Sequence, residues 1–227
     1  MKSNFQSMTT GSAVLLVMFC SIGFAQDGSK LIEAVMYQDL DAVKTAISQG
    51  TDINYQDPTS GSTALILAAN YGFVDIAKFL IEKGADVDLQ AKNGTSPLMA
   101  AAGSSEDIFR LLIEKNADIK AKDESGTTAF TASMIGILRE RVTTALLQLL
   151  LKKGADVDEA SDKGRTAGYT ALMMAARNQR PDLVQFLVDN GANVNAVAKD
   201  GATPLSLAKK EEDKVIIELL QKLSATK

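Results

Sequence analysis

The sequence contains no histidine and no tryptophan, and Cys20 is its only cysteine. Without histidine, a Ser-His-Asp triad is impossible and no imidazole can act as a general base. A single cysteine excludes an intrachain disulfide and the usual cysteine-histidine ligands of a structural zinc site. The glycine-containing run at 164–169 lacks both the spacing and the lysine of a phosphate-binding loop. These absences argue against the commonest enzyme classes, and we expect no cofactor and no bound metal.

Long apolar runs and excess positive charge are also missing. The chain has 24 Lys and Arg against 28 Asp and Glu, a formal net charge of -4, which does not suit a nucleic-acid partner. The apolar run at 13–20 is too short to span a bilayer. It follows Lys2 and precedes the small-x-small sequence Gly23-Phe24-Ala25, which is typical of a cleaved secretory signal. We predict a signal peptide at 1–25 and no membrane insertion after its removal. An uncleaved anchor and a lipid anchor are the alternatives.

One phrase returns along the chain at a near-constant interval. It is a Gly-Ala-Asp-Val-Asp-like sequence, and successive copies begin 32 to 38 residues apart. The copies begin at Gly50, Gly84, Asn116, Gly154 and Gly191. A period in this range is typical of a stacked array of helix pairs. The glycine is expected to take the left-handed conformation that ends a helix, and asparagine is the next most tolerant residue there.

A second phrase, a Thr-Pro-Leu-like tetrad, stands 21 residues before the first in two of its copies, from Thr63 to Gly84 and from Thr170 to Gly191. The tetrads begin at Thr63, Ser96, Thr128, Thr170 and Thr203. Their Thr or Ser is expected to cap a helix by accepting a hydrogen bond from a free backbone N–H group. Proline fits the first helical position, where its missing N–H has no cost. A second helix with apolar residues at spacings of three and four follows each of the first four tetrads.

Together these phrases resemble the ankyrin repeat, whose unit is a β-turn finger followed by two antiparallel helices. The resemblance covers about residues 30–227 and implies an all-α solenoid of four full repeats with two capping units, in a domain at 26–227. The units are expected at about 30–57, 58–92, 93–123, 124–162, 163–199 and 200–227. The family's tetrad usually ends in histidine, so its polar bonding must be absent or rebuilt in this chain. The residues at that position are Ile66, Met99, Thr131, Met173 and Ser206.

Members of the ankyrin family usually bind partners through the fingers and the concave face of the first helices. All four tyrosines map to such positions, and five of the six arginines lie between positions 139 and 180. The same region holds five surplus residues between Thr128 and Gly154 and a lengthened finger before Thr170, and insertions often mark a binding face. Half-buried tyrosines and a solvated charged face are the alternative explanation. The predicted protein-binding residues are Tyr37, Tyr55, Tyr71, Arg139, Arg141, Arg165, Tyr169, Arg177 and Arg180.

The sequence therefore predicts an exported, non-enzymatic scaffold that binds another protein, with a preference for an acidic patch. Ankyrin chains that stand alone behind a signal resemble bacterial ones, which favours the periplasm over an extracellular location. An inhibitor or immunity protein that masks a toxin or enzyme is one alternative, and a secreted host-directed effector is another. An enzyme based on carboxylates or lysine is disfavoured, because no pair of carboxylates in a pocket is suggested.

Overall fold

The computed structural model describes residues 28–163 and 167–224, without the side chain of Ser224. These residues form six antiparallel helix pairs, which we number units 1 to 6. The first helices are α1 (Ser29–Met36), α3 (Ala64–Tyr71), α5 (Pro97–Ala102), α7 (Ala129–Leu138), α9 (Ala171–Arg177) and α11 (Pro204–Lys210). The second helices are α2 (Leu40–Ser48), α4 (Val74–Glu82), α6 (Glu106–Glu114), α8 (Ala145–Lys152), α10 (Pro181–Asp189) and α12 (Lys214–Ser224).

The predicted all-α repeat architecture is confirmed. An isolated bridge between Ala160 and Thr170 is the one β-type pairing recorded in the described ranges. None of the helices in those ranges is both long and apolar enough to cross a bilayer. The predicted signal segment at 1–25 lies outside the described residues.

The tetrads cap every first helix from α3 onward. In each, the Thr or Ser hydroxyl accepts a hydrogen bond from the backbone N–H three residues later. Pro97 and Pro204 begin their helices, as the tetrad predicts. The caps Thr63, Ser96 and Thr128 are buried, so their hydroxyls satisfy N–H groups that water cannot reach.

The polar bonding expected from the family's tetrad histidine is rebuilt in two units. The N–H of Thr128 donates to Oγ1 of Thr131 at 2.9 Å, and the N–H of Thr203 donates to Oγ of Ser206 at 2.8 Å. Each pair forms a reciprocal capping box. In the remaining tetrads Ile66, Met99 and Met173 are buried and pack as apolar side chains.

The core runs without interruption along the whole array. The third tetrad residue is fully buried in four successive units, as Leu65, Leu98, Phe130 and Leu172. These side chains belong to one apolar cluster that extends from Leu31 to Leu220. Burying a side chain of this size contributes about 1.5–3 kcal/mol, so stacking of one unit on the next supplies most of the stability.

The aspartates of the repeated phrase form a ladder of hydrogen bonds. Asp86 accepts the N–H of Asp88 at 2.9 Å, and Asp88 accepts the N–H of Asp118 in the next unit at 2.7 Å. Equivalent bonds between units join Asn54 to Asp86 and Asp158 to Asn193. Lys120 stands where the ladder needs an acceptor, so the ladder is interrupted between units 3 and 4.

The second residue after each of the helices α2, α4, α6, α8 and α10 takes the predicted left-handed conformation. Gly84 has φ +90°, and the N–H of Ala85 donates to the carbonyl oxygen of Leu80 at 3.0 Å. Asn116 replaces the glycine once and has φ +61°. In this geometry the last carbonyl groups of the helix accept hydrogen bonds, and the chain turns back toward the next finger.

Candidate protein-binding groove

A continuous groove crosses the face formed by the first helices and the fingers. Two cavities of about 430 and 230 Å³ open on this face, and they share Asn70, Thr95 and Ala100. The shared residues make them one groove, which lies over α5 between α3 and α7. We name it the α5 groove and define it by the side chains that line its helical floor and its two walls: Leu67, Asn70, Met99, Ala100, Ile135, Arg139 and Arg141.

The groove exists because α5 is short and built from small residues. Its sequence is Pro-Leu-Met-Ala-Ala-Ala, six residues against eight in α3 and ten in α7. Ala100 offers one methyl group to the exposed face, where the flanking helices offer Leu67, Asn70 and Ile135. The larger neighbours therefore form walls, and α5 forms a low floor.

The far wall comes from the surplus residues of unit 4. Part of this surplus adds about one turn to α7, and the remainder widens the loop at 139–144. The apolar run from Met134 to Leu138 explains this, because it contains no helix-breaking proline and continues the buried stripe. Ile135 and Arg139 are four residues apart on α7 and so share one side of it.

The turn that carries the arginines is held from several directions. Glu140 has φ +58°, and the N–H of Arg141 donates to the carbonyl oxygen of Gly136 at 3.0 Å. Val142 is buried against the same glycine. The N–H of Thr143 donates to Oε1 of Glu106 in unit 3. The guanidinium groups of Arg139 and Arg141 thus stand on an ordered support.

Glu106 is the polar anchor of this turn. Burial raises the pKa of its carboxyl, but hydrogen bonds from Thr143 and the charge of Arg110 outweigh burial, so the pKa lies below its ordinary value. Arg110 is one turn away on α6, at 3.6 Å from Oε2. The ionised carboxylate is therefore the form that holds the turn in the folded protein.

Three predicted tyrosines are in or near the rim of this face. Tyr37 is 77% exposed at the end of α1, and Tyr71 is 50% exposed at the end of α3. The ring of Tyr71 stacks on Phe73 with centroids 5.5 Å apart, which fixes its direction. Tyr55 is half-buried and its ring packs on Gly28, so it offers less surface to a partner.

The remaining predicted residues do not gather into one site. Tyr169 is buried, and its hydroxyl donates to Asp200 of the next finger at 3.1 Å. Burial, together with this bond to a carboxylate, raises the pKa of Tyr169. Arg180 is held by Asp182 through two hydrogen bonds of 2.9 and 2.7 Å. Arg177 is exposed at the end of α9, and Arg165 lies outside the described residues.

The groove also contains residues that the predicted set lacks. Asn70, Met99 and Ile135 line it. The sequence carries a signal for α5 and α7, which hold two of these three residues. The signal is the contrast between an inner helix of alanines and an unusually long neighbour. Within the described ranges, no group of side chains is suited to hold a metal ion. Asp156 and Asp158, which stand close together in sequence, instead accept backbone N–H groups in the ladder.

Comparison with known proteins agrees with this repeat architecture. The sequence profile of ankyrin repeats in three copies matches residues 31–123 and again 134–227. The chain belongs to the ankyrin-repeat family. Residues 124–133, which the profile leaves unmatched, lie in unit 4, where the tetrad and the first helix depart from the other units.

Curated relatives share only the repeat region of much longer ankyrin proteins. The chain is 38% identical over 183 residues to human 2-5A-dependent ribonuclease, covering 79% of this chain and 25% of that protein. It is 34% identical over 199 residues to human neurogenic locus notch homolog protein 1, covering 87% and 7%. It is 32% identical over 179 residues to mask-1 of Caenorhabditis elegans, an ankyrin repeat and KH domain-containing protein, covering 78% and 6%. The chain therefore spans a quarter or less of these relatives.

Solved ankyrin structures match over nearly the whole array. One is a chain from the complex of a predatory endopeptidase of Bdellovibrio bacteriovorus with an immunity protein, with a TM-score of 0.72 and 30% identity. The match covers 85% of this chain and 97% of that chain. The human ASB11 ankyrin repeat domain matches with a TM-score of 0.69 and 28% identity, over 85% and 82%. Ankyrin arrays are protein-interaction scaffolds and are generally not catalytic.

Proposed function

We propose that this chain is an exported, non-enzymatic scaffold that binds another protein through the α5 groove and the rim beside it. One observation carries the proposal. Of the six large apolar side chains that are exposed within the described residues, four stand on the first helices or at their ends. They are Met36, Tyr37, Tyr71 and Ile135. Exposed apolar groups gathered on one face mark an interaction surface.

The chemistry of this face suits binding and not catalysis. Its floor is apolar, its far wall carries Arg139 and Arg141, and Asn70 supplies an amide beside the floor. The one carboxylate that lines it, that of Asp123, accepts the N–H groups of Ser125 and Thr127 at 2.8 Å. A general acid or base would need an available titratable group beside a reacting atom.

Export rests on the sequence at 1–25, with its short apolar core and small-x-small end. We place the mature protein in a bacterial periplasm. Fractionation of cells that produce the full chain tests this. The expected result is a product shortened by 25 residues in the periplasmic fraction, and a full-length cytoplasmic product would contradict it.

A second candidate is an immunity protein that masks an enzyme. The similarity to a chain from an endopeptidase–immunity protein complex favours it, because the match spans almost that entire chain. A groove held in advance of binding would suit such masking, since little free energy is lost in ordering it.

Affinity capture from envelope extract, followed by reconstitution with the purified captured protein, tests the binding function. The variant Arg139→Glu/Arg141→Glu reverses the groove charge, and Lys78→Glu/Lys152→Glu makes the same change on the exposed second helices. We expect the partner to bind the parent and the control variant, and to bind the groove variant more weakly. The proposal would be contradicted if both variants weakened binding equally, or if no complex could be reconstituted. Loss of the partner's own enzymatic activity on binding would identify the immunity role.

A further inference from the structure

We infer that the α5 groove takes an extended segment of the partner that carries a carboxylate two residues from an apolar side chain. The carboxylate pairs with Arg139 and Arg141, and the apolar side chain lies over Ala100 against Ile135. This inference rests on the proposed function and specifies the chemistry of its partner.

Charge is the first step of the argument. In the described ranges no ion pair engages Arg139 or Arg141, whereas Arg110 and Arg180 both have acidic partners. Of the acids nearby, Asp123 already accepts backbone N–H groups. The two cavities that form the groove are lined by Lys92, Arg139 and Arg141 against that one carboxylate. The groove is therefore a positive site in a chain of net charge -4, and guanidinium groups bind carboxylates in a bidentate manner.

Spacing is the second step. Side chains four residues apart on a helix, such as Ile135 and Arg139, lie about 6 Å from one another. In an extended segment, side chains two residues apart lie about 7 Å apart and point to the same side. An apolar residue against Ile135 thus places a carboxylate at Arg139 when one residue separates them. A helical segment of the partner could reach Ile135 and Arg139 only if the full width of the helix fitted between α3 and α7, which an extended segment does not require.

The groove offers a partner for the backbone of such a segment. Asn70 is exposed at the end of α3 and its side-chain amide makes no hydrogen bond within the described residues. A carboxamide both donates and accepts, so it can bond the N–H and C=O groups of one extended residue. Ser104, which also lines the groove, donates instead to the carbonyl oxygen of Ala69 at 2.6 Å.

The backbone that carries the arginines is ordered before any partner arrives. The turn at 139–143 is closed by its own backbone hydrogen bonds, by burial of Val142 and by the bond from Thr143 to Glu106. A preformed site loses less conformational entropy on binding than a flexible loop. The same argument predicts that a short segment, without the rest of the partner, binds measurably.

Display of random twelve-residue peptides against the purified protein tests the inference. We expect enriched peptides to share an apolar-x-acidic or acidic-x-apolar pattern. Their affinity should fall about tenfold or more, equivalent to about 1.4 kcal/mol, with Arg139→Glu/Arg141→Glu. It should fall also with Ile135→Ser and stay within about twofold for Lys78→Glu/Lys152→Glu, with the circular dichroism of each variant matching the parent.

Each other outcome overturns the inference in a distinguishable way. If the enriched peptides lack acidic residues, or if no peptides are enriched, the inference of an acidic partner segment is wrong. A reconstituted partner complex would still support the scaffold function in that case. Dimerisation of the parent that Arg139→Glu/Arg141→Glu abolishes, measured by sedimentation, would identify a second copy as the occupant. Tighter peptide binding after deletion of residues 1–27 would identify that segment instead. Failure of both the peptides and the partner capture would remove the proposed function as well.

Discussion

Gly136 lies where α7 packs against the end of α5, and its replacement by alanine tests the architecture of the groove wall. A Cβ at this position would lie 2.8 Å from the carbonyl oxygen of Ala102 and 2.7 Å from Cγ2 of Val142. It would also lie 3.1 Å from Cα of Gly103. Two of these atoms belong to the backbone and cannot move aside by a change of rotamer, so α7 itself must shift.

Two opposing effects set the size of the change. Alanine in place of glycine inside a helix gains about 0.5–1 kcal/mol. Overpacking a well-filled contact costs about 1–3 kcal/mol. We therefore expect Gly136→Ala to lower the free energy of unfolding by about 1–2 kcal/mol. For a chain of this size each kcal/mol corresponds to a fall of about 2–4 °C in the melting temperature.

Gly103→Ala provides the matched control. A Cβ there would meet nothing within 4 Å, and the backbone conformation, φ -93°, suits any residue. This change should be neutral or stabilise by up to about 1 kcal/mol through the unfolded state. Urea and thermal unfolding followed by circular dichroism measure both variants. If Gly136→Ala were as stable as Gly103→Ala, the close packing of α7 on α5 would be refuted.

Three further predictions concern the anchor, the ladder and the finger. Because the pKa of Glu106 is lowered from 4.5 in the folded state, its stabilisation is present above the unfolded pKa and lost as pH falls through the folded pKa. Unfolding midpoints from pH 7 to 3 should therefore fall less steeply for Glu106→Gln than for the parent, and parallel curves would contradict this. Lys120→Asn should restore an acceptor for the N–H of Asp156 and stabilise by up to about 1 kcal/mol, whereas Lys120→Ala, which restores no acceptor, should not. Tyr169→Phe should cost about 0.5–1.5 kcal/mol in urea unfolding and leave partner affinity unchanged, and a loss of affinity at unchanged stability would return Tyr169 to the binding surface.

The fold was predictable because its signals are local. Thr63 and Ser96 indicate where helices begin, and Gly84 and Asn116 indicate where helices end. Each of these residues lies within a few positions of the backbone groups that it caps. The repeat period then orders the helix pairs, since each unit can bury its apolar side only against the next.

The site was predictable only in part, because it depends on neighbours that are distant in sequence. Arg139 and Arg141 were predicted from the arginine cluster and an insertion, but the groove that they line arises from small side chains in α5, about 40 residues earlier. Tyr169 was expected to bind a partner from a finger, yet its side chain is buried and its hydroxyl donates to Asp200, 31 residues later. For Arg180 the overlooked neighbour is local, because Asp182 stands only two residues later and pairs with its guanidinium.

The lengthened α7 has a consequence for how repeat arrays evolve. Each unit contacts only its neighbours, so surplus residues absorbed within unit 4 leave the caps at Thr170 and Thr203 in their usual places. A single local insertion can therefore create a new wall without reorganising the units on either side. The segment from Ile135 to Thr144 is, in this sense, a transferable part. Together with an acceptor at the position of Glu106 and small side chains in the preceding inner helix, it could be grafted into another array to give it an arginine-bearing groove.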